Sequence, residues 1–221
     1  MCGRYTYTQI PELDEDAVVF PSGNKIPLIP RYNIAPTNYA PVIIQQAPRK
    51  IHFYRWGLIP HWAKDEKMGG KLINARSETL LEKPSFRDSV QKHRCLVPAD
   101  SFYEWKKSTG GKQPFRIGTT DFHPFYMAGL TSEWRAQDGS LIHTYTILTT
   151  LANEMMEGLH DRMPVILDKA QAVKWLSPTR DPSLLIEELC QPYLSERMEA
   201  YPVSSLVGNV RNDDEGLIER L

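Results

Sequence analysis

Seventeen prolines punctuate the 221 residues, and no other feature limits the fold as strongly. A proline inside a helix removes a backbone donor and clashes with the preceding turn, at a cost of about 3 kcal/mol or more. Here the prolines and other turn residues separate many short apolar runs, a pattern that favours strands over long helices. The runs predict strands over Pro41–Gln46, His52–Trp56, Arg94–Pro98, Phe102–Trp105, Pro114–Ile117, Phe125–Leu130, His143–Leu148, Pro164–Leu167 and Met198–Val203. Helices are fewer, and their caps are legible. Pro84 opens Ser85–Lys92, Asp168 with Gln171 resembles a capping box before Lys169–Leu176, and Asp181-Pro182 opens Ser183–Cys190. Ala152–Leu159 is a further helix candidate, and Lys64–Lys71 and Lys106–Gln113 read as polar loops, the second joining two hairpin strands. No internal repeat, low-complexity tract or dividing linker interrupts the chain. The expected architecture is α+β: one domain over residues 1–221, with a curved, mainly antiparallel and barrel-like sheet core and a few short flanking helices.

A hydrophobic content of 41% with 24% charged residues describes an ordinary soluble chain able to bury a core. The polar start lacks the apolar segment of a secretory signal, and no run of 18 apolar residues follows, so a cytoplasmic location is expected. Cys2, Cys95 and Cys190 are odd in number and far apart, which favours neither a disulfide framework nor a metal site. Net charge is −1, yet residues 64–116 carry 12 Lys and Arg against 7 Asp and Glu, while residues 151–221 carry 7 against 13. Such an asymmetry suits a basic patch for nucleic acid, and equally an unevenly charged solvated surface.

Four segments carry residues suited to chemistry. In Met1-Cys2-Gly3, removal of the initiator methionine would leave Cys2 with both an α-amine and a thiol. With reference pKa values of about 7.7–8.0 and about 8.5, both groups have useful nucleophilic fractions at neutral pH. An aldehyde can then be captured as a Schiff base and closed to a five-membered thiazolidine; an abasic deoxyribose in its open form is such an aldehyde. A cysteine merely tolerated at a frayed terminus reads the same. In Leu72–Arg76, a strand places Asn74 and Arg76 on one face and turns Ile73 and Ala75 to the core. In Phe102-Tyr103-Glu104-Trp105, three aromatics flank a carboxylate; burial among them raises a carboxyl pKa towards acid–base use, whereas an edge-strand glutamate has no such role. His160 stands in the short connection Gly158–Pro164 with Arg162 two residues on, a setting for catalysis or for an ordinary hydrogen-bonded surface histidine.

Taken in order, these segments resemble the SRAP family, named for SOS-response-associated peptidases. The resemblance runs through Met1–Tyr5, Arg31–Thr37, Trp56–Trp62, Asn74–Thr79, Arg94–Trp105, His160–Pro164, Pro202–Ser204 and Val207–Val210, with Ser101 replacing the glycine usual before the aromatic pair. It implies a monomeric protein of the DNA damage response that needs no metal or cofactor. Its partner would be single-stranded DNA bearing abasic sites, including junctions with duplex. Cys2 would be the nucleophile and ring-former, Asn74 would position the new terminus or the opened sugar, and Glu104 and His160 would move protons. Arg4, Arg76 and Arg162 would bind phosphates, and Pro36, Trp62 and Trp105 would lie beside the bases. A lyase activity and autocatalytic removal of Met1 also belong to this implied set. Two readings compete with it: a cysteine autopeptidase confined to the Met1–Cys2 bond, and a non-covalent module that reads modified bases.

Overall fold

The computed structural model describes residues 2–9, 18–19, 29–109, 111–178 and 180–221. Its strands are β1 (Tyr5–Tyr7), β2 (Val18–Val19), β3 (Arg31–Ile34), β4 (Tyr39–Ile44), β5 (Ile51–Trp56), β6 (Asn74–Arg76) and β7 (Arg94–Ala99) in the first half. The second half adds β8 (Ser101–Ser108), β9 (Gly111–Thr119), β10 (Phe125–Arg135), β11 (Leu141–Leu151), β12 (Arg162–Pro164), β13 (Ile166–Leu167) and β14 (Met198–Pro202). Among the described residues four short α-helices flank them: α1 (Arg87–Lys92), α2 (Glu154–Glu157), α3 (Lys169–Trp175) and α4 (Pro182–Leu189).

One sheet runs β14-β9-β8-β1-β3, and the other runs β12-β11-β10-β7-β4-β5-β2. In the second sheet β11 pairs with β10 on one side and, in parallel, with β5 on the other, where Tyr145 faces Trp56. That extra pairing closes β11, β10, β7, β4 and β5 into a barrel, which removes the sheet edges that would otherwise stay unpaired. The barrel interior is apolar: Val42, Trp56, Cys95, Val97, Met127, Tyr145 and Ile147 belong to one buried cluster that also takes in Cys2 and Tyr5. A buried Arg94 ties the helices to the barrel wall by donating to the carbonyls of Val90, Trp175 and Ser177, the C-terminal ends of α1 and α3.

The expected α+β, single-domain organisation agrees with this architecture, and the predicted strands all fall on observed ones. Pro164–Leu167 splits into two pieces, because Val165 turns its amide to the Leu148 carbonyl. The capping box at Asp168 and Gln171 is present, as is the Asp181 cap with Pro182 in the first turn. Pro84 does not open α1: it lies in a turn, and the helix begins at Arg87 behind Phe86, which makes no side-chain cap. Of the two segments expected as polar loops, Lys64–Lys71 holds a 3-10 helix, Glu66–Lys71, capped by Asp65, and Lys106–Gln113 continues the β8–β9 ladder, with Lys106 opposite Gln113. Gly69 in that helix presses on Gly57, which has φ of 117°; a Cβ at Gly57 would stand 2.6 Å from the Gly69 carbonyl oxygen. This close approach brings the chain back along β5 and delivers it to β6.

The short β1 is held by more than its two ladders. Asp100 is buried at the bend between β7 and β8, and its carboxylate accepts from the Thr6 hydroxyl, from the Thr8 amide and hydroxyl, and from the Gln9 amide. Arg116 faces it at 3.5 Å and donates to the Ser101 hydroxyl at 2.8 Å. Serine at 101 thus contributes a buried hydroxyl to this network. Removing charge from one member of a buried ionic network typically costs about 3–5 kcal/mol. Asp100→Asn is therefore expected to lower stability by about 3 kcal/mol in urea titrations; a loss below about 0.5 kcal/mol would show that the network does not hold β1.

Candidate active site

Cys2 is fully buried where β1 enters the barrel mouth. Its carbonyl accepts a hydrogen bond from the Asn74 side-chain amide at 2.8 Å, and its thiol points to the Arg4 carbonyl at 3.7 Å. Asn74 is placed by β6, which runs parallel to β11 with Asn74 opposite Ile147. Beside it the Ile73 carbonyl accepts from both the Trp56 indole, at 2.8 Å, and the Ile147 amide, at 3.1 Å. Trp56 in turn lies edge-on to Tyr5, whose hydroxyl meets that of Tyr145 at 2.7 Å. Cys2 and Asn74 therefore rest on a rigid aromatic floor, and the side-chain oxygen of Asn74, Oδ1, is buried with no hydrogen-bond partner among the described residues.

Glu104 reaches the same place by strand alternation. Tyr5 pairs with Phe102, so Glu104 lies two residues further along β8, level with the start of the chain. Of the three flanking aromatics only Phe102 shares its face and its cluster. Tyr103 and Trp105 point to the opposite face, into the cluster of Tyr201, Val203, Val207 and Leu217. Of the three expected aromatics one remains beside Glu104, because adjacent strand residues cannot face the same way. Glu104 is nonetheless 5% exposed. Burial, with the Glu104 charge nearby, pushes the Cys2 thiol well above its ordinary range. Burial and the Glu104 charge thus favour the neutral thiol over the thiolate in the chain that carries Met1. Cys95 is pushed up by burial as well, and Cys190 rises to about 12.

His160 follows α2 in the connection to β12, and its neighbours Leu159 and Met163 pack on the cluster that contains Cys2. Its Nδ1 is 3.0 Å from the Arg162 amide and 2.7 Å from the Asp161 carboxylate. No bond joins His160 to Cys2 among the described residues.

The residues assigned to phosphates and bases separate. Arg76 is exposed on β6, and Trp62 is 48% exposed in the turn after β5. Ala75 is buried beneath Arg76, as expected, whereas Ile73 precedes the strand and packs on the other cluster. Pro36 is half-buried in the β3–β4 turn, next to Thr37 with φ of 74°, a left-handed conformation locked by the Thr37 amide to Trp56 and by Asn38 across the turn. Arg4 lies under Trp105, 6.0 Å from its ring, and donates to the Asn33 side chain and the Val207 and Gly208 carbonyls. Arg162 is no free phosphate ligand: it is buried, forks onto both oxygens of Glu78 at 2.7 and 2.8 Å, and donates to the Thr149 carbonyl at 2.7 Å. Glu78, absent from the expected set, is its partner; Glu78 lies within the Asn74–Thr79 segment, but a contact across 84 positions leaves no local pattern.

Among the described residues, no three His, Cys, Asp or Glu side chains group as a metal site would require. A cavity of about 600 Å³ is lined by Tyr54, His61, His93 and His143, and none of the residues that hold Cys2 lines it. No helix among the described residues is long and apolar enough to cross a membrane.

A closed barrel thus brings together a buried cysteine, the asparagine that holds its carbonyl, and a buried glutamate. The chain belongs to the SRAP family: the model described as "SOS response associated peptidase (SRAP)" matches residues 1–210. It is 45% identical over 225 residues to the abasic site processing protein YoqW of Bacillus subtilis, covering 99% of each chain. It is 36% identical to the abasic site processing protein HMCES of Gallus gallus, covering 83% of this chain and 64% of the relative. A crystal structure of a Bacteroides thetaiotaomicron protein superposes with a TM-score of 0.80 at 30% identity, covering 86% of this chain and 85% of that one.

The buried, protonated thiols make a direct prediction. In the folded protein at pH 7.5, iodoacetamide should alkylate all three cysteines at least about 100-fold more slowly than free cysteine, with full labelling after denaturation. Intact mass against time reads this, and rapid labelling of Cys2 in the native state would contradict its burial.

Proposed function

We propose that this chain processes abasic sites in single-stranded DNA, including those at junctions with duplex, by closing a thiazolidine between Cys2 and the opened sugar once Met1 has been removed. Relatives called abasic site processing proteins support the DNA lesion as its target. The observation that carries the reading is the 2.8 Å bond from Asn74 to the Cys2 carbonyl, which fixes the backbone of a residue that a structural core would not need to orient.

The chemistry follows from the state of the sulfur. With the thiol protonated by burial, the α-amine attacks the aldehyde carbon first. The carbinolamine loses water to give an imine. The thiol sulfur then adds to the imine carbon while its proton passes to nitrogen, so the ring closes with net loss of one water. His160 gives a proton to the sugar oxygen as the ring opens, and Glu104 takes and returns protons at the amine and thiol. A peptidase driven by a Cys2 thiolate fits this environment poorly, because burial and Glu104 both disfavour the thiolate.

Arg76 is assigned to a backbone phosphate, and Trp62 and Pro36 to the bases beside the gap. Contacts of that kind give little sequence preference. Arg4 and Trp105 form a half-exposed cation–π pair assigned to a neighbouring nucleotide.

Denaturing electrophoresis with abasic single-stranded DNA tests the central step. A band that survives denaturation is expected from the wild-type chain and should vanish in Cys2→Ser, whose hydroxyl closes no comparable ring. A resistant band from Cys2→Ser without reductant would rule out the thiazolidine. Glu104→Gln and His160→Ala should each slow single-turnover adduct formation by about 10²–10⁴-fold while binding of a non-aldehyde abasic analogue stays near wild type. Loss of analogue binding with normal chemistry at saturation would instead make these residues DNA ligands.

A further inference from the structure

Glu78 and Asp161 belong to the two motifs that supply Asn74 and His160, yet the chemistry above uses neither. Glu78 sits in a 3-10 turn, Ser77–Thr79, directly after β6. Both its oxygens are taken by the Arg162 guanidinium, and the second terminal nitrogen of Arg162 also holds the Thr149 carbonyl at 2.7 Å. The fork fixes the Arg162 side chain over the turn after β6, and the pairing of Arg162 opposite Leu151 holds its backbone in β12. That backbone amide donates to His160 Nδ1 at 3.0 Å. A continuous path therefore runs from carboxylate to guanidinium to backbone amide to imidazole.

The path has a chemical consequence. A ring nitrogen that accepts a hydrogen bond carries no proton, so the neutral ring holds its proton on Nε2. Nδ1 also lies 2.7 Å from the Asp161 carboxylate. When Nδ1 gains a proton, it donates to Asp161 in place of accepting from Arg162. The ring need not turn between the two states: the Arg162 amide is matched in the first and the Asp161 carboxylate in the second.

We propose that Glu78 is a positioning residue for His160: through Arg162 it sets the tautomer and orientation of the imidazole, with Asp161 receiving the protonated form. This rests on the reading of His160 as a proton-transfer group. The Arg162 hydrogen bonds also hold the Glu78 carboxyl below the usual range, as expected of a carboxylate kept ionised for its partner.

Nitrogen-15 NMR of the histidine rings in the full-length chain, without DNA, reads the link directly. Wild type should show His160 with an unprotonated, hydrogen-bonded Nδ1 and a proton on Nε2. Glu78→Gln keeps the shape and removes the charge; it should give mixed tautomers at His160. The variant should form the adduct about tenfold more slowly, within the 10–100-fold usual for partners that orient a functional histidine. Its affinity for a non-aldehyde abasic analogue should stay unchanged. Glu78→Gln combined with His160→Ala should be no slower than His160→Ala alone, a result that general loosening of the fold would not produce. Glu78→Asp, which retains the charge, should recover part of the rate, and its ring spectrum is read in the same way if Glu78→Gln fails to fold. Wild-type ring signals in a folded Glu78 variant, or full additivity with His160→Ala, would overturn the proposal. If His160→Ala itself leaves the rate unchanged, the proton-transfer reading of His160 falls, while the ring spectra still decide whether Glu78 sets the imidazole.

Discussion

A buried carboxylate, Asp100, is the constraint on which the site depends. Three residues of β-strand cannot hold themselves in place, yet β1 must deliver Cys2 to the barrel mouth. Asp100 gathers the Thr6 and Thr8 hydroxyls and two consecutive backbone amides, and Arg116 supplies the countercharge. Removing a carboxylate from water costs several kcal/mol, which these partners must offset together. On the other side of β1, β3 is fixed by a second acid: Asp213 accepts from Arg31 and from the amides of Tyr32 and Asn33. The Asn33 amide group meanwhile reaches the carbonyls of Val207, Asn209 and Asn212, so the C-terminal segment clamps the sheet that carries Cys2.

The environment built this way determines what the cysteine can do. Cys2 shares a cluster with Tyr5, Trp56, Tyr145 and Met163, which excludes water and favours the neutral thiol. An exposed cysteine would be a general nucleophile, open to oxidation and stray electrophiles. In the proposed chemistry, a buried one that follows a neighbouring amine onto a carbonyl reacts only with substrates that fit the site. Asn74 and Trp56 brace the same segment, one holding the Cys2 carbonyl and the other holding the carbonyl just before Asn74.

Arginines with similar sequence settings have dissimilar fates. Arg76 and Arg162 each stand two residues beyond a proposed functional side chain, Asn74 or His160, yet one is exposed and the other is locked by Glu78. The difference lies in register: β6 and β12 both flank β11, and their pairings opposite Thr149 and Leu151 bring the turn after β6 over Arg162. The same pairings place the His160 connection beside the Cys2 cluster.

Local features of the fold were legible in the sequence because their energetics are local. The Asp168–Gln171 capping box and the Asp181-Pro182 helix start involve side chains within one turn of the backbone they satisfy. Strand positions followed from short apolar runs between turn residues, and the ordered motifs named Cys2, Asn74, Glu104 and His160 together. Closure of the barrel by the parallel β5–β11 pair, and the opposite facings of Glu104 and its neighbours, required the register of strands distant in sequence. Whether a given arginine meets solvent or Glu78, and whether the Cys2 sulfur is thiol or thiolate, was decided only in the tertiary structure. Burial and long-range charge pairing set those states, and neither acts until the segments have packed.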